Sequence, residues 1–329
     1  MIRKNWLIFL AIAVGIVCSL WITIFKNRDG INFSAIPILR YEISLMAIDT
    51  NRVSEELHRL YKEYPLFLEG ADKDDLDNIR QIFDFVTDPR SKELLSDVLE
   101  KYPNLKWLET TLGQSFARYN RIFDRDIIPT IYTYISYLDY ENRVIFMDSV
   151  LVIAIDMYLG VDNKHYDAIA LQMFKRTRLD EQFIPVDAMR AVAHYELEKM
   201  PQPLTTLLDH MILHGKVAYF LEQTLPKTDM ATRFGYMPEQ MAWVRKNEKA
   251  VWSYLMREQL LYEQNAFRYR TFVNESPTIQ MFPGSPGRVG HYLGYQIVRQ
   301  YMRNTGQTIP ELFAETDSQT ILRLSNYRP

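Results

Sequence analysis

Residues 6–25 form an uncharged, mostly apolar run between Arg3-Lys4 and Lys26-Arg28. Only Ser19 and Thr23 carry hydroxyls within it. At about 1.5 Å of rise per residue, a helix of that length covers the roughly 30 Å hydrocarbon layer. The pattern predicts an N-terminal signal or anchor segment over residues 1–30 and a single exported domain over residues 31–329. A basic amino terminus ahead of a long exported domain places that terminus in the cytoplasm and the domain in the periplasm, held at the membrane.

Beyond the leader the pattern changes several times. Residues 32–45 read as extended, because 38–43 alternates in part and Pro37 opposes a helix. Val53, Leu57, Leu60 and Tyr61 recur at helical spacing, and Pro65 ends that helix. Residues 72–121 read as several short helices, with Asp88-Pro89 starting one and Tyr102-Pro103 breaking another. Residues 130–137, dense in Ile, Tyr and Thr, suit a strand. A polar turn at 139–142 and a β-branched stretch at 143–155 then predict a small hairpin or mixed sheet.

From Pro185 the chain reads as helical almost to its end. Residues 185–200 form one helix. Residues 203–225 form a second, apolar on nearly every side and so expected to be buried. Residues 238–265 form a third. Ser285-Pro286 offers a start signal for a fourth, a hydroxyl cap followed by proline in the first turn. That helix carries Val289, Tyr292, Leu293, Ile297 and Tyr301 on one face. Gly290 and Gly294, four apart, allow another element to approach closely. The expected fold class is α+β, mostly helical, with a small sheet and no internal linker.

Composition narrows the function. There are 38 Lys and Arg against 41 Asp and Glu, so there is no basic footprint for nucleic acid. The aromatic content of 13% excludes a disordered chain. The single cysteine, Cys18, lies inside the apolar run, leaving the domain without disulfide or thiolate chemistry. Such a domain suits an oxidising compartment. Cys18 also gives the leader a second reading, a bacterial lipoprotein signal whose cysteine is acylated after cleavage. Small residues usually precede such a cysteine; here the three are Gly15, Ile16 and Val17, and the apolar run continues beyond. An uncleaved anchor and lipidation at Cys18 stand side by side.

One constellation could carry chemistry. His194 and Glu198 lie one helical turn apart, and His210 and His214 repeat the spacing on the next helix. A turn at Pro201–Pro203 could bring the pairs together. His194, Glu198 and His214 would then make a two-His, one-Glu zinc set with a position open for water. The plainer reading is that histidines on apolar helices help fill a core. Asp139, Glu141 and Asp148 read as a solvated hairpin end. The Gly284-Ser285-Pro286-Gly287 stretch lacks the lysine and preceding strand of a phosphate loop. Arg288, near a helix start, could bind an anion, but the plainer reading is an ordinary salt bridge.

Several segments in order carry a resemblance. They are Ile38-Leu39-Arg40-Tyr41-Glu42, Tyr64-Pro65-Leu66-Phe67, Asp156-Met157-Tyr158-Leu159-Gly160, Pro286-Gly287-Arg288-Val289-Gly290, and Gly294-Tyr295-Gln296-Ile297-Val298 with Tyr301-Met302. Together they resemble the gliding-motility lipoprotein B family (GldB) of Bacteroidetes. The resemblance implies an envelope lipoprotein associated with gliding and the linked type IX secretion machinery, whose partners are other envelope proteins. It implies no established catalytic activity. That family is similar in turn to predicted zinc proteases, which implies a zincin-like fold. Laid on their pattern, His194 takes the first ligand position and Tyr195 stands at the general-base glutamate. Glu198 stands at the second histidine, and His214, before Gly215, at the third ligand. The resemblance thus implies a degenerate site, since a phenol is a poor base at neutral pH. The expectation is a non-enzymatic accessory protein needing no cofactor, with His194, Glu198 and His214 as a vestigial metal-ligand set that could still take zinc. The alternative is a metallopeptidase with permuted ligands.

Overall fold

The computed structural model describes residues 34–68 and 75–329. The signal or anchor segment and Cys18 lie outside them. Among the described residues no helix is long and apolar enough to cross a membrane.

The sheet has four strands, β1 (Ile38–Arg40), β2 (Thr130–Tyr134), β3 (Val144–Met147) and β4 (Val150–Ala154), in the order β1-β2-β4-β3. β1–β2 and β2–β4 are parallel; β3–β4 is antiparallel. Alternation sorts the side chains between two cores. Ile131, Leu151 and Ile153 enter the large helical core, while Tyr132, Tyr134, Val150 and Val152 face a small N-terminal cluster around Leu57 and Leu60.

Ten helices of eight residues or more are described. They are α1 (Val53–Glu63), α2 (Leu76–Thr87), α3 (Pro89–Lys101), α4 (Lys106–Phe123), α5 (Ile184–Glu198), α6 (Leu207–Thr224), α7 (Pro238–Arg257), α8 (Ala266–Val273), α9 (Val289–Thr305) and α10 (Ser318–Ser325). Mostly helical α+β with a small sheet is the class the sequence predicts. Local chemistry sets many of the boundaries. The Asp88 side chain accepts from Arg90 N with Pro89 in the first turn of α3. Thr206 and Asp209 form a reciprocal capping box on α6.

Several expectations change. Among the described residues of 32–45 only 38–40 form a strand; Tyr41–Met46 is a short helix, with Glu42 buried between Arg40 Nε (2.8 Å) and Thr133 Oγ1 (2.9 Å). The hairpin lies wholly inside 143–155 and turns at Asp148 and Ser149, both at positive φ (46° and 71°) as a two-residue turn of this hand requires. α6 starts at Leu207, because its cap is Thr206 and not Pro203. The third long helix ends at Arg257, and Leu260–Tyr262 follows as a 3-10 turn.

α9 starts at Val289 and is not capped by Ser285. The Ser285 hydroxyl instead accepts from Ile279 N at 3.0 Å and closes the preceding loop. Arg288, at φ 61°, turns the chain into the helix.

α6 and α9 make the closest crossing. A Cβ on Gly294 would stand 1.7 Å from Met211 O, and one on Gly215 2.4 Å from the Gly294 carbonyl. The sequence foresees Gly294 as a point of close approach; its partner, Met211-Gly215, is visible only in the fold.

Candidate functional site

The α6–α9 crossing assembles the site. Gly215 follows His214 directly, and Gly294 lies three residues beyond His291. Backbone contact at the glycines therefore lays one imidazole on the other: the His214 and His291 rings are 3.6 Å apart at 20°. α5 passes on the other side, and its His194 ring lies 6.4 Å from that of His214 at 78°. His291 is oriented by a hydrogen bond between Nε2 and Val273 O at 2.8 Å, which fixes the proton on Nε2. His210 stands apart against the Tyr269 ring at 5.8 Å.

Burial, with arginines nearby, keeps these imidazoles neutral. Burial and then Arg190 lower His194 to about 4. His214 falls to about 3 through burial, then His194 and Arg190. His291 is driven well below the usual range by burial, then His214 and Arg288. Desolvation and adjacent cations both oppose an imidazolium.

The other expected residues are placed differently. Glu198 is exposed and lines a shallow cleft of about 220 Å³ with His194, Leu197, Leu204 and Leu213. Tyr195 points away from the histidines. Its hydroxyl donates to Asp148 Oδ1 at 2.7 Å and its ring meets Phe146 edge-on at 5.2 Å. That hydrogen bond raises the phenol further, making it a still poorer base. Asp139 opens the polar turn 139–142, accepting from Glu141 N and Asn142 N at 3.1 Å, but that turn joins β2 to β3, which do not pair, so of the three residues expected at a hairpin end only Asp148 stands at one.

The dominant feature beside the histidines is a buried ionic network that the sequence did not suggest. Asp187, one turn before Arg190 on α5, meets Arg143 (2.9 Å), Arg178 (3.2 Å), Arg190 (3.5 Å) and the Tyr158 hydroxyl (3.1 Å). These cations outweigh burial and hold its carboxyl far below the usual range. Glu275 receives Arg178 Nη1 at 2.7 Å and the Tyr140 hydroxyl at 2.8 Å. Arg288, expected in a salt bridge, forms none among the described residues. Its Nη2 donates to Gly235 O at 3.2 Å and its guanidinium stands over the Tyr236 ring at 5.6 Å. Asp187, Arg190 and His194 share a helix face by their spacing, which was the one available signal.

Zinc bonds each imidazole in the ring plane, at about 2.0–2.1 Å. A metal between the stacked His214 and His291 rings would lie out of both planes, and two guanidiniums would repel it. Among the described residues no three His, Cys, Asp or Glu side chains are arranged to hold a metal ion. As arranged, the donor set does not fit a zinc centre.

The family model described as "Gliding motility protein GldB" matches residues 26–329. The chain belongs to the GldB gliding-motility lipoprotein family. No curated protein and no solved structure matches it. Two of the segments that carry the resemblance frame this family member's site: Pro286–Gly290 turns into α9 through Arg288, and Gly294 makes the crossing that seats His291 on His214.

Proposed function

We propose that this protein is a membrane-anchored, non-enzymatic component of the gliding and secretion apparatus, with its domain in the periplasm and other envelope proteins as partners. Family membership supports the setting, and the uncharged leader supports the anchor, by lipidation at Cys18 or as an uncleaved helix. One observation carries the non-enzymatic part. Tyr195, at the position where the resemblance to predicted zinc proteases would put a general base, is tied to Asp148 and turned from the histidines. The frame reads as a zincin-like scaffold whose site was turned from catalysis to structure or binding.

The test combines deletion, crosslinking and a double variant in a gliding host. Deletion stops gliding and secretion, crosslinking of the full chain captures envelope proteins, and His194→Ala/His214→Ala at normal abundance restores function. Unimpaired motility and secretion after deletion, with no envelope protein captured, would remove the proposal. A folded double variant that fails to complement, with stoichiometric zinc in the parent, would favour the metallopeptidase.

A further inference from the structure

We propose that the exposed face of the β3–β4 hairpin, with Ile128 beside it, rests on the lipid bilayer and fixes which side of the domain meets the membrane. The proposal rests on the anchored reading above and goes beyond it, because an anchor alone leaves the domain free to turn.

The pairing register builds the surface. Ile145 stands opposite Val152 and Met147 opposite Val150 across the antiparallel pair. Residues directly opposite share a sheet face, as do residues two apart on one strand. These four apolar side chains therefore form one contiguous patch. On the same face of β2, Tyr132 is buried in the N-terminal cluster, which meets Val150 and Val152 only at its margin. Cover thins toward the sheet edge: Val150 and Val152 are half-buried, Ile145 is 45% exposed and Met147 57%. Ile128, 75% exposed, lies two residues before β2, whose Thr130 pairs with Val150 beside the hairpin turn. Isolated exposed apolar residues are ordinary, whereas a cluster of them on an edge strand invites aggregation unless it is covered.

The course of the chain says what covers it. β1, β2 and β4 are parallel, with Ile38 in register with Ile131 and Ile131 with Leu151. Their N-terminal ends therefore lie side by side, at the end of the sheet where the hairpin turns through Asp148 and Ser149. The chain enters β1 from the leader at that same end. Ten residues separate Phe25 from Ile36, and 17 separate Cys18 from Ile36. Fully extended, such lengths span at most about 35 Å and about 60 Å. With either form of anchor the domain is attached at this sheet end, and the patch beside the attachment has lipid within reach. Tethering raises the local lipid concentration, so a weak apolar contact suffices. Residues 144–152 hold no lysine or arginine and one acid, Asp148, so the contact is with the apolar interfacial layer and needs no anionic headgroup. A second exposed apolar group, Met256, Tyr262 and Phe267, stands on α7, α8 and the turn between them, where no tether is attached.

The test is photocrosslinking of the full chain in phosphatidylcholine nanodiscs, read by mass spectrometry. Single variants carry the probe residue: Met147→p-benzoylphenylalanine, Ile145→p-benzoylphenylalanine and, as the comparison, Phe267→p-benzoylphenylalanine. Lipid adducts are expected from the two hairpin positions and not from position 267. Adding Met147→Glu to the probe at position 145 should abolish its adducts. Should the variant at Met147 not fold, the one at Ile145 still decides. Lipid adducts as abundant at position 267 as on the hairpin would overturn the proposal. So would a chain that stays with the discs yet forms no hairpin adduct, or one whose hairpin probes capture a second copy or another protein in place of lipid. A chain that does not stay with the discs would overturn the anchored reading and this one with it.

Discussion

His214 and His291 lie face to face, 3.6 Å between ring centroids, because the helices that carry them meet backbone to backbone at Gly215 and Gly294. Both rings are neutral in the folded protein and would repel each other if protonated.

That stack predicts acid sensitivity. A histidine titrates near 6.5 when unfolded, while His214 titrates at about 3 when folded. Between these values the unfolded chain binds more protons, so stability falls as pH drops from about 6.5. Denaturant unfolding at pH 7 and pH 5 should show this loss, and His214→Phe should reduce it. Equal pH dependence in both proteins would contradict the assignment.

The crossing itself predicts a large packing effect. Gly294→Ala places a methyl 1.7 Å from Met211 O, where backbone on both sides must move. The expected loss is about 3 kcal/mol or more in urea unfolding. Gly306→Ala, in open space on the same helix's C-terminal side, is strained only by its positive φ of 68° and should cost about 1 kcal/mol.

Lys216 predicts stabilisation by alkali. It is buried on α6, donating to Gln202 Oε1 at 2.8 Å and to Glu315 O at 2.6 Å, and burial lowers it from 10.5 to about 8. Between pH 8 and 10.5 the unfolded chain holds the proton and the folded chain releases it, so this residue's contribution rises with pH. Relative to Lys216→Met, the wild type should gain roughly 2–3 kcal/mol across that window. A constant difference between the two would refute the shift.

Tyr195 predicts a modest role. Tyr195→Phe removes the exposed bond to Asp148 at the hairpin turn and should lower the thermal unfolding midpoint only slightly. Complementation of gliding should be unchanged, because the hydroxyl does not reach the histidines.

Much of this molecule is written locally. The sheet-forming stretch near residue 150 and the helices after Pro185 follow from hydropathy period, prolines and caps, which act within a few residues. The choice of Val289 over Ser285 as the boundary of α9 was not legible, because the Ser285 hydroxyl is claimed by Ile279 N within a folded loop. Likewise His194 and His214 were visible as helical positions, but not the third imidazole. His291 joins them only because Gly215 and Gly294 let two helices touch, over a separation of some eighty residues along the chain. The excess of arginine around Asp187 is tertiary for the same reason. Its members come from separate elements, and a charge balance over such distances depends on which side chains burial brings together, not on their spacing in sequence.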